Sequence, residues 1–151
     1  MKRWSIPVLF IFLAASAVAV KFTWRKNTVV VDVHHAQYRT DILVEHFPWT
    51  DSGKIAWWRE NAGTLASKYH FQLPDKFNNQ HVSIWQFGAG YMAEGKEDRM
   101  CFADMAGPEN CINKERIMSI KIGPKGDQEF LMPDDIYINA GDGEIRRVTE
   151  H

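Results

Sequence analysis

The hydrophobic pattern divides the chain into an apolar N-terminal segment and a longer region in which apolar and polar residues alternate. The apolar segment runs from Trp4 to Val20 without a charged residue. As a helix it is about 26 Å long, slightly short of a hydrocarbon core of about 30 Å, and extending it to Trp24 gives about 32 Å. We therefore predict a membrane anchor in residues 1–26 and a separate domain in residues 27–151.

Two alternatives to a retained anchor remain open. The stretch ASAVA supplies small residues for signal-peptidase sites after Ala17 and Ala19. A cleaved signal peptide is disfavoured because the apolar run is longer than the hydrophobic region of most signal peptides. A buried helix of a soluble domain is disfavoured because such helices are rarely apolar on every face.

The remainder of the chain combines strand patterns with one helical pattern. In residues 27–47, alternation on both sides of a turn near His35–Tyr38 predicts a β-hairpin. A helix follows within residues 47–71, capped at Thr50 or Asp51. Five of its apolar side chains share one face: Ile55, Trp58, Ala62, Leu65 and Tyr69. Later segments alternate around glycine-containing turns. The predicted fold class is α+β, an N-terminal transmembrane helix followed by a small domain of antiparallel strands with one helical segment.

Charge is distributed unevenly between these two regions. Five of the 18 basic residues and none of the 19 acids lie in residues 1–26, so residues 27–151 carry a net charge of −6. A basic flank beside an apolar segment favours contact with anionic lipid, and an acidic body argues against nucleic acid binding. The partner that this distribution predicts is inner-membrane lipid.

The two cysteines, Cys101 and Cys111, bear on the compartment. One pair with nine intervening residues and no neighbouring histidine is poorly suited to a zinc site, and the two-residue spacing of redox enzymes is absent. Gly107 and Pro108 favour a turn that brings the cysteines together. We predict a disulfide, with two reduced core cysteines as the alternative. Basic residues flank the apolar segment almost equally, so the cysteines decide the orientation: a single-pass inner-membrane protein with its C-terminal domain in the periplasm.

No motif for catalysis is complete. Gly90, Gly95 and Lys96 have the spacing of a P-loop, but an acid follows where a Ser or Thr binds magnesium, so no nucleotide is predicted. His34 and His35 point to opposite faces of a strand and are predicted as surface or half-buried polar residues. We therefore predict no catalytic residues, no metal and no cofactor.

Aromatic side chains are the remaining candidates for a binding site. Trp57 and Trp58 lie about 100° apart on the helix, so one is expected in the core and the other near its rim. Trp85 and Tyr91 complete the set of candidate partner-binding residues. An exposed aromatic side chain is a natural anchor for a protein partner or a sugar ring.

Three stretches of sequence resemble a known family. They are FPWTDSGKIAWWRENAGTLASKYHF, IWQFGAGYMAEGKEDRMCF and NCINKE. They are similar to the enterobacterial putative membrane proteins of domain-of-unknown-function family 943, and the resemblance covers most of the chain. It implies a small single-span membrane protein with a C-terminal domain and no established activity, and it carries over no catalytic residue.

These observations lead to three functional hypotheses. The first is a non-catalytic periplasmic binding domain tethered to the inner membrane, such as an immunity-type protein that neutralises an envelope-targeted toxin. The second is an envelope glycan-binding protein, or a glycan-acting enzyme that uses surface carboxylates and aromatics. The third, an envelope-signalling accessory, is ranked last because few residues precede Trp4.

We expect the membrane-fraction protein to have the mass of the full-length chain, with thiols that alkylate only after reduction. A retained anchor and a Cys101–Cys111 disulfide require these two results. Intact-mass spectrometry with and without reductant measures both. A mass that corresponds to a chain starting after Ala17 or Ala19 would show that the N-terminal segment is cleaved and that no tether is retained. Free thiols in untreated protein would contradict the disulfide.

Overall fold

The computed structural model describes residues 27–36, 38–73, 80–139 and 142–148. These residues form nine strands and one helix: β1 (Val29–Ala36), β2 (Arg39–Glu45), α1 (Asp51–Tyr69), β3 (Gln80–Gln86), β4 (Arg99–Cys101), β5 (Cys111–Asn113), β6 (Arg116–Ile122), β7 (Gln128–Leu131), β8 (Ile136–Asn139) and β9 (Arg146–Arg147). The predicted transmembrane helix falls in residues 1–26, outside the described residues.

Seven of the strands form one mixed sheet, in the order β1-β2-β3-β6-β7-β8-β9, and β4 and β5 form a two-stranded sheet. Neighbouring strands of the large sheet are antiparallel except β2 and β3, which are parallel. Parallel strands need a crossover connection, and α1 provides it because it lies between β2 and β3 in the chain. The predicted small domain of strands with one helix is confirmed, but one of its strand pairs is parallel.

The helix α1 begins where the sequence predicts. The Thr50 hydroxyl accepts a hydrogen bond from the Gly53 N–H at 3.1 Å and caps the first turn. Asp51 in the first turn and Lys68 in the last turn complement the helix dipole. His70 ends the helix in the left-handed conformation, with φ of 56°. The buried side chains of the helix belong to the predicted face: Ile55, Trp58 and Leu65.

The large sheet buries side chains on both faces. On one face α1 packs against a core supplied by four strands: Ile42, Val44, Val82, Ile84, Met118, Ile120 and Phe130. On the opposite face, here called the outer face, Leu43 and Trp85 pack against Phe102 and Ile112. Phe102 and Ile112 belong to residues 87–115, here called the disulfide lobe, which includes β4 and β5. The lobe covers the outer face at β1, β2 and β3.

Replacing Ile84 with alanine should lower the free energy of unfolding by about 2–5 kcal/mol, because the side chain is fully buried in the centre of the sheet. Ile138→Ala is the matched control, since Ile138 is 38% exposed on the same sheet. The control should change stability by less than about 1 kcal/mol. Urea denaturation of the oxidised full chain in detergent measures both, and equal effects would contradict the assigned core.

Candidate functional site

The disulfide lobe is closed at its base by a covalent bond. Cys101 on β4 and Cys111 on β5 are directly opposite each other and form the predicted disulfide. Closing a loop of this size stabilises a fold by about 3 kcal/mol on the chain-entropy estimate. The bond also fixes the start of the loop, where Phe102 and Asp104 follow Cys101.

Phe102 and Asp104 hold a histidine of the outer face. The His34 ring, on β1, stacks on the Phe102 ring with centroids 3.9 Å apart and an interplanar angle of 13°. His34 Nδ1 lies 2.9 Å from an Asp104 carboxylate oxygen, and His34 Nε2 lies 2.7 Å from the Tyr91 hydroxyl. The Tyr91 hydroxyl donates to Asp32 at 2.8 Å. These five residues are here called the His34 cluster.

The geometry of the His34 cluster constrains its protons. His34 Nδ1 donates to Asp104, since a carboxylate only accepts. The Tyr91 hydroxyl donates to Asp32 and lies beside His34 Nε2. The imidazole therefore lies between the carboxylates of Asp32 and Asp104, with its face on the Phe102 ring.

Tyr91 is held in its protonated form. Burial is the largest cause that raises its pKa well above the ordinary value of 10.0, followed by the hydrogen bond to Asp32 and the negative charges of Asp32 and Asp104. The hydroxyl is therefore a hydrogen-bond donor at neutral pH. The cluster uses its hydrogen-bonding groups to join the lobe to β1, which is a structural role.

A row of buried polar residues extends from this cluster across the sheet. His34, Asp41, Ser83 and Ser119 are register neighbours on β1, β2, β3 and β6, and all are buried. Asp41 accepts a hydrogen bond from Trp85 Nε1 at 2.9 Å. The hydroxyls of Ser83 and Ser119 lie 3.2 Å apart and share a hydrogen bond. Each polar group of the row is thus paired, as buried polar groups require.

The sequence-based prediction for His34 was wrong, because the side chain is buried and only 5% exposed. His35, its neighbour, is exposed, so the prediction that the two point to opposite faces is confirmed. The missed signal was a polar residue at matching register positions of four neighbouring strands, which becomes visible only once the strand pairing is known.

The structure separates the four predicted partner-binding residues into two places. Trp58 is fully buried in the core beneath α1, and Trp57 lies partly exposed beside it, with its ring 4.9 Å from that of Phe47. Trp85 is buried on the outer face, and Tyr91 belongs to the His34 cluster. Partner binding through these residues stays a prediction. The burial of Trp58 and Trp85 leaves only the other two accessible to a partner without rearrangement.

Two acidic groups of the lobe are paired with bases. Glu97 forms an ion pair with Arg99 at 3.2 Å, and Asp98 forms one with Lys114 at 2.9 Å. Within residues 27–36, 38–73, 80–139 and 142–148, no group of three His, Cys, Asp or Glu side chains is arranged to hold a metal ion.

The outer face remains open where the lobe ends. Four register neighbours on β3, β6, β7 and β8 line this surface: His81, Lys121, Glu129 and Ile138. Together with Tyr38 and Pro124 they surround a groove of about 690 Å³, here called the outer groove. Burial, followed by the charges of Arg116 and Lys121, lowers the pKa of His81. The groove therefore combines a neutral imidazole and a charged Lys121–Glu129 pair along its floor with the apolar side chains of Tyr38 and Ile138 at its two ends.

These features define a class: a small α+β domain with one helix, a mixed sheet and a disulfide-closed lobe over its outer face. The enterobacterial putative membrane protein family, domain-of-unknown-function family 943, matches residues 2–149, and the chain belongs to this family. No curated protein and no solved structure is significantly similar to the chain. In the part of the chain that the structure describes, no helix is both long enough and apolar enough to cross a membrane.

Replacing Tyr91 with phenylalanine should lower the free energy of unfolding by about 1 kcal/mol near pH 7, because the hydroxyl joins His34 to Asp32 at a partly exposed site. The wild-type protein should become less stable as the pH rises above 10.0, and the variant should show a smaller decrease. Since the folded state raises the pKa of Tyr91, the unfolded chain releases this proton first above pH 10.0, and rising pH favours unfolding. Urea denaturation at about pH 8 and about pH 11 measures both effects.

Tyr137→Phe is the matched control for Tyr91→Phe. Partial burial and a hydrogen bond to Asp51 also raise the pKa of Tyr137, but this residue lies on β8, away from the lobe. Only Tyr91→Phe should speed reduction of the Cys101–Cys111 disulfide by dithiothreitol. Equal reduction rates in the two variants would contradict the attachment of the lobe through Tyr91.

Proposed function

We propose that this chain is a non-catalytic periplasmic protein, tethered to the inner membrane, that binds a protein partner through the outer groove. The observation that carries the proposal is the open half of the outer face beside the disulfide lobe. The titratable groups of the His34 cluster are engaged with one another, whereas the outer groove presents apolar side chains to solvent.

Three observations support the proposed location. The family is described as a putative membrane protein family, and the apolar run that starts at Trp4 is long enough for an anchor when it is extended to Trp24. A disulfide such as Cys101–Cys111 forms and persists in an oxidising compartment, and the periplasm is one. These observations together favour a domain held at the outer surface of the inner membrane.

The outer groove has the composition of a protein interface. Tyr38 and Ile138 are 51% and 38% exposed and place apolar surface at the two ends of the groove. Lys121 and Glu129, 3.4 Å apart, form an ion pair between them. Interfaces between proteins combine apolar and polar surface, and tyrosine is enriched in them. The net charge of −6 on residues 27–151 favours a basic partner through long-range attraction.

A tether gives a binding domain of this kind a specific use. A toxin that attacks the envelope acts close to the inner membrane, and a neutralising domain anchored there meets it at the site of damage. Anchoring raises the effective concentration of the domain at that surface without any new contact. An immunity-type protein is the most specific function that fits this arrangement.

We expect a photo-crosslinking amino acid at position 138 of the full chain to form an adduct with one protein in intact enterobacterial cells. The matched control places the same amino acid at Ser67, an exposed position of α1 on the opposite side of the sheet. Mass spectrometry of the adduct identifies the partner. If the crosslinked partner is a toxin, the immunity hypothesis is supported. If it is another envelope protein, the binding role stands and the immunity hypothesis does not.

A charge in the outer groove should weaken the complex. With the crosslinker at Tyr38, Ile138→Arg should lower the adduct yield at least about tenfold, because a buried unpaired charge costs more than about 1.4 kcal/mol. Equal adducts from positions 138 and 67 would contradict the proposed interface. Binding of purified cell-wall glycan that Ile138→Arg abolishes would favour the glycan hypothesis instead.

A further inference from the structure

Trp49 is 98% exposed, an unusual position for the largest side chain in proteins. It lies between β2 and α1, directly before the helix-capping Thr50. The cap fixes the backbone on one side of Trp49, and Pro48 restricts it on the other. The indole is therefore presented to solvent by a constrained turn. Tryptophan is enriched at membrane–water interfaces because its ring is apolar and its N–H is polar.

The chain passes from residues 1–26 into the domain beside this tryptophan. Thr28 Oγ1 donates a hydrogen bond to the His46 carbonyl at 3.2 Å, which holds the start of the domain against the turn that follows β2. Asn27 and Trp49 line one groove of about 520 Å³, together with His46, Phe47 and Trp57. This surface is here called the Trp49 groove.

Covalent connection limits how far the Trp49 groove can lie from the apolar run. Six residues, Lys21 to Lys26, separate Val20 from Asn27, which makes seven Cα–Cα steps. Even a fully extended chain of this length reaches at most about 25 Å. Lys21, Arg25 and Lys26 lie within this stretch and are attracted to anionic headgroups, which favours a shorter separation.

We propose that the Trp49 groove rests on the bilayer, with the Trp49 side chain in the headgroup region. The proposal rests on the membrane tether of the proposed function and adds a second point of attachment. Glu60 also lines the groove and disfavours contact with anionic phosphates. The indole therefore occupies the less charged layer between phosphates and acyl chains, where its N–H meets ester carbonyls. Two attachments restrict rotation of the domain about its tether.

Fluorescence quenching of the full chain in vesicles of phosphatidylethanolamine and phosphatidylglycerol tests the proposal. The signal of Trp49 is the difference between the wild-type protein and Trp49→Phe. This substitution is tolerated because the side chain is almost fully exposed. We expect lipids brominated close to the headgroup to quench the difference signal, and aqueous iodide to leave it largely unquenched. Trp57→Phe is the matched control, since Trp57 lines the same groove but packs on Phe47.

Alkaline carbonate extraction of the same membranes separates failure of docking from failure of the tether. If the protein stays in the membrane and iodide quenches the Trp49 signal, docking is wrong and the tether stands. If neither quencher acts on Trp49, a protein covers it, and docking on lipid is again wrong. If carbonate releases the protein, the tether is wrong, and the docking that depends on it is wrong as well. A larger brominated-lipid signal from Trp57 than from Trp49 would also overturn the proposal.

Discussion

A sheet that is apolar on both faces must be covered on both, and this chain has one helix among its described residues with which to do so. The helix α1 covers one face, and the disulfide lobe covers half of the other. The lobe has only two strands of three residues each, so its position depends on attachments beyond packing. The Cys101–Cys111 bond closes it, and His34 joins it to β1. These two attachments hold the lobe where Phe102 and Ile112 pack against Leu43 and Trp85 of the sheet.

The same attachments explain why polar residues are tolerated beneath the lobe. A buried aspartate or histidine without a partner is strongly destabilising, but Asp41 and His34 each have defined hydrogen-bond partners. Such a paired arrangement specifies one position of the lobe, because sliding it by one residue would leave several groups unpaired. The paired polar groups beneath the lobe thus serve the structure, and the two grooves proposed for binding, the outer groove and the Trp49 groove, lie outside the part that the lobe covers.

Much of this fold is visible in the sequence because its signals are local. Alternation identifies β1 and β2, Thr50 identifies the start of α1, and the Gly107–Pro108 turn identifies the closing of the disulfide. The parallel pairing of β2 with β3 is not local, since either direction satisfies the same alternation. The burial of His34 is not local either, because its partners Asp104 and Tyr91 lie 70 and 57 residues away. Side-chain patterns locate elements, whereas pairing and burial depend on distant residues.

The disulfide lobe makes completion of the fold depend on the redox state of the compartment that contains the chain. In a reducing compartment the thiols of Cys101 and Cys111 remain separate, and the loop that carries Phe102 and Asp104 loses its closure. Leu43 and Trp85, which pack against Phe102 in this loop, then lose part of their fixed cover. Closure of the outer face is therefore coupled to oxidation of the two thiols, so the last part of the core is completed only where a disulfide forms.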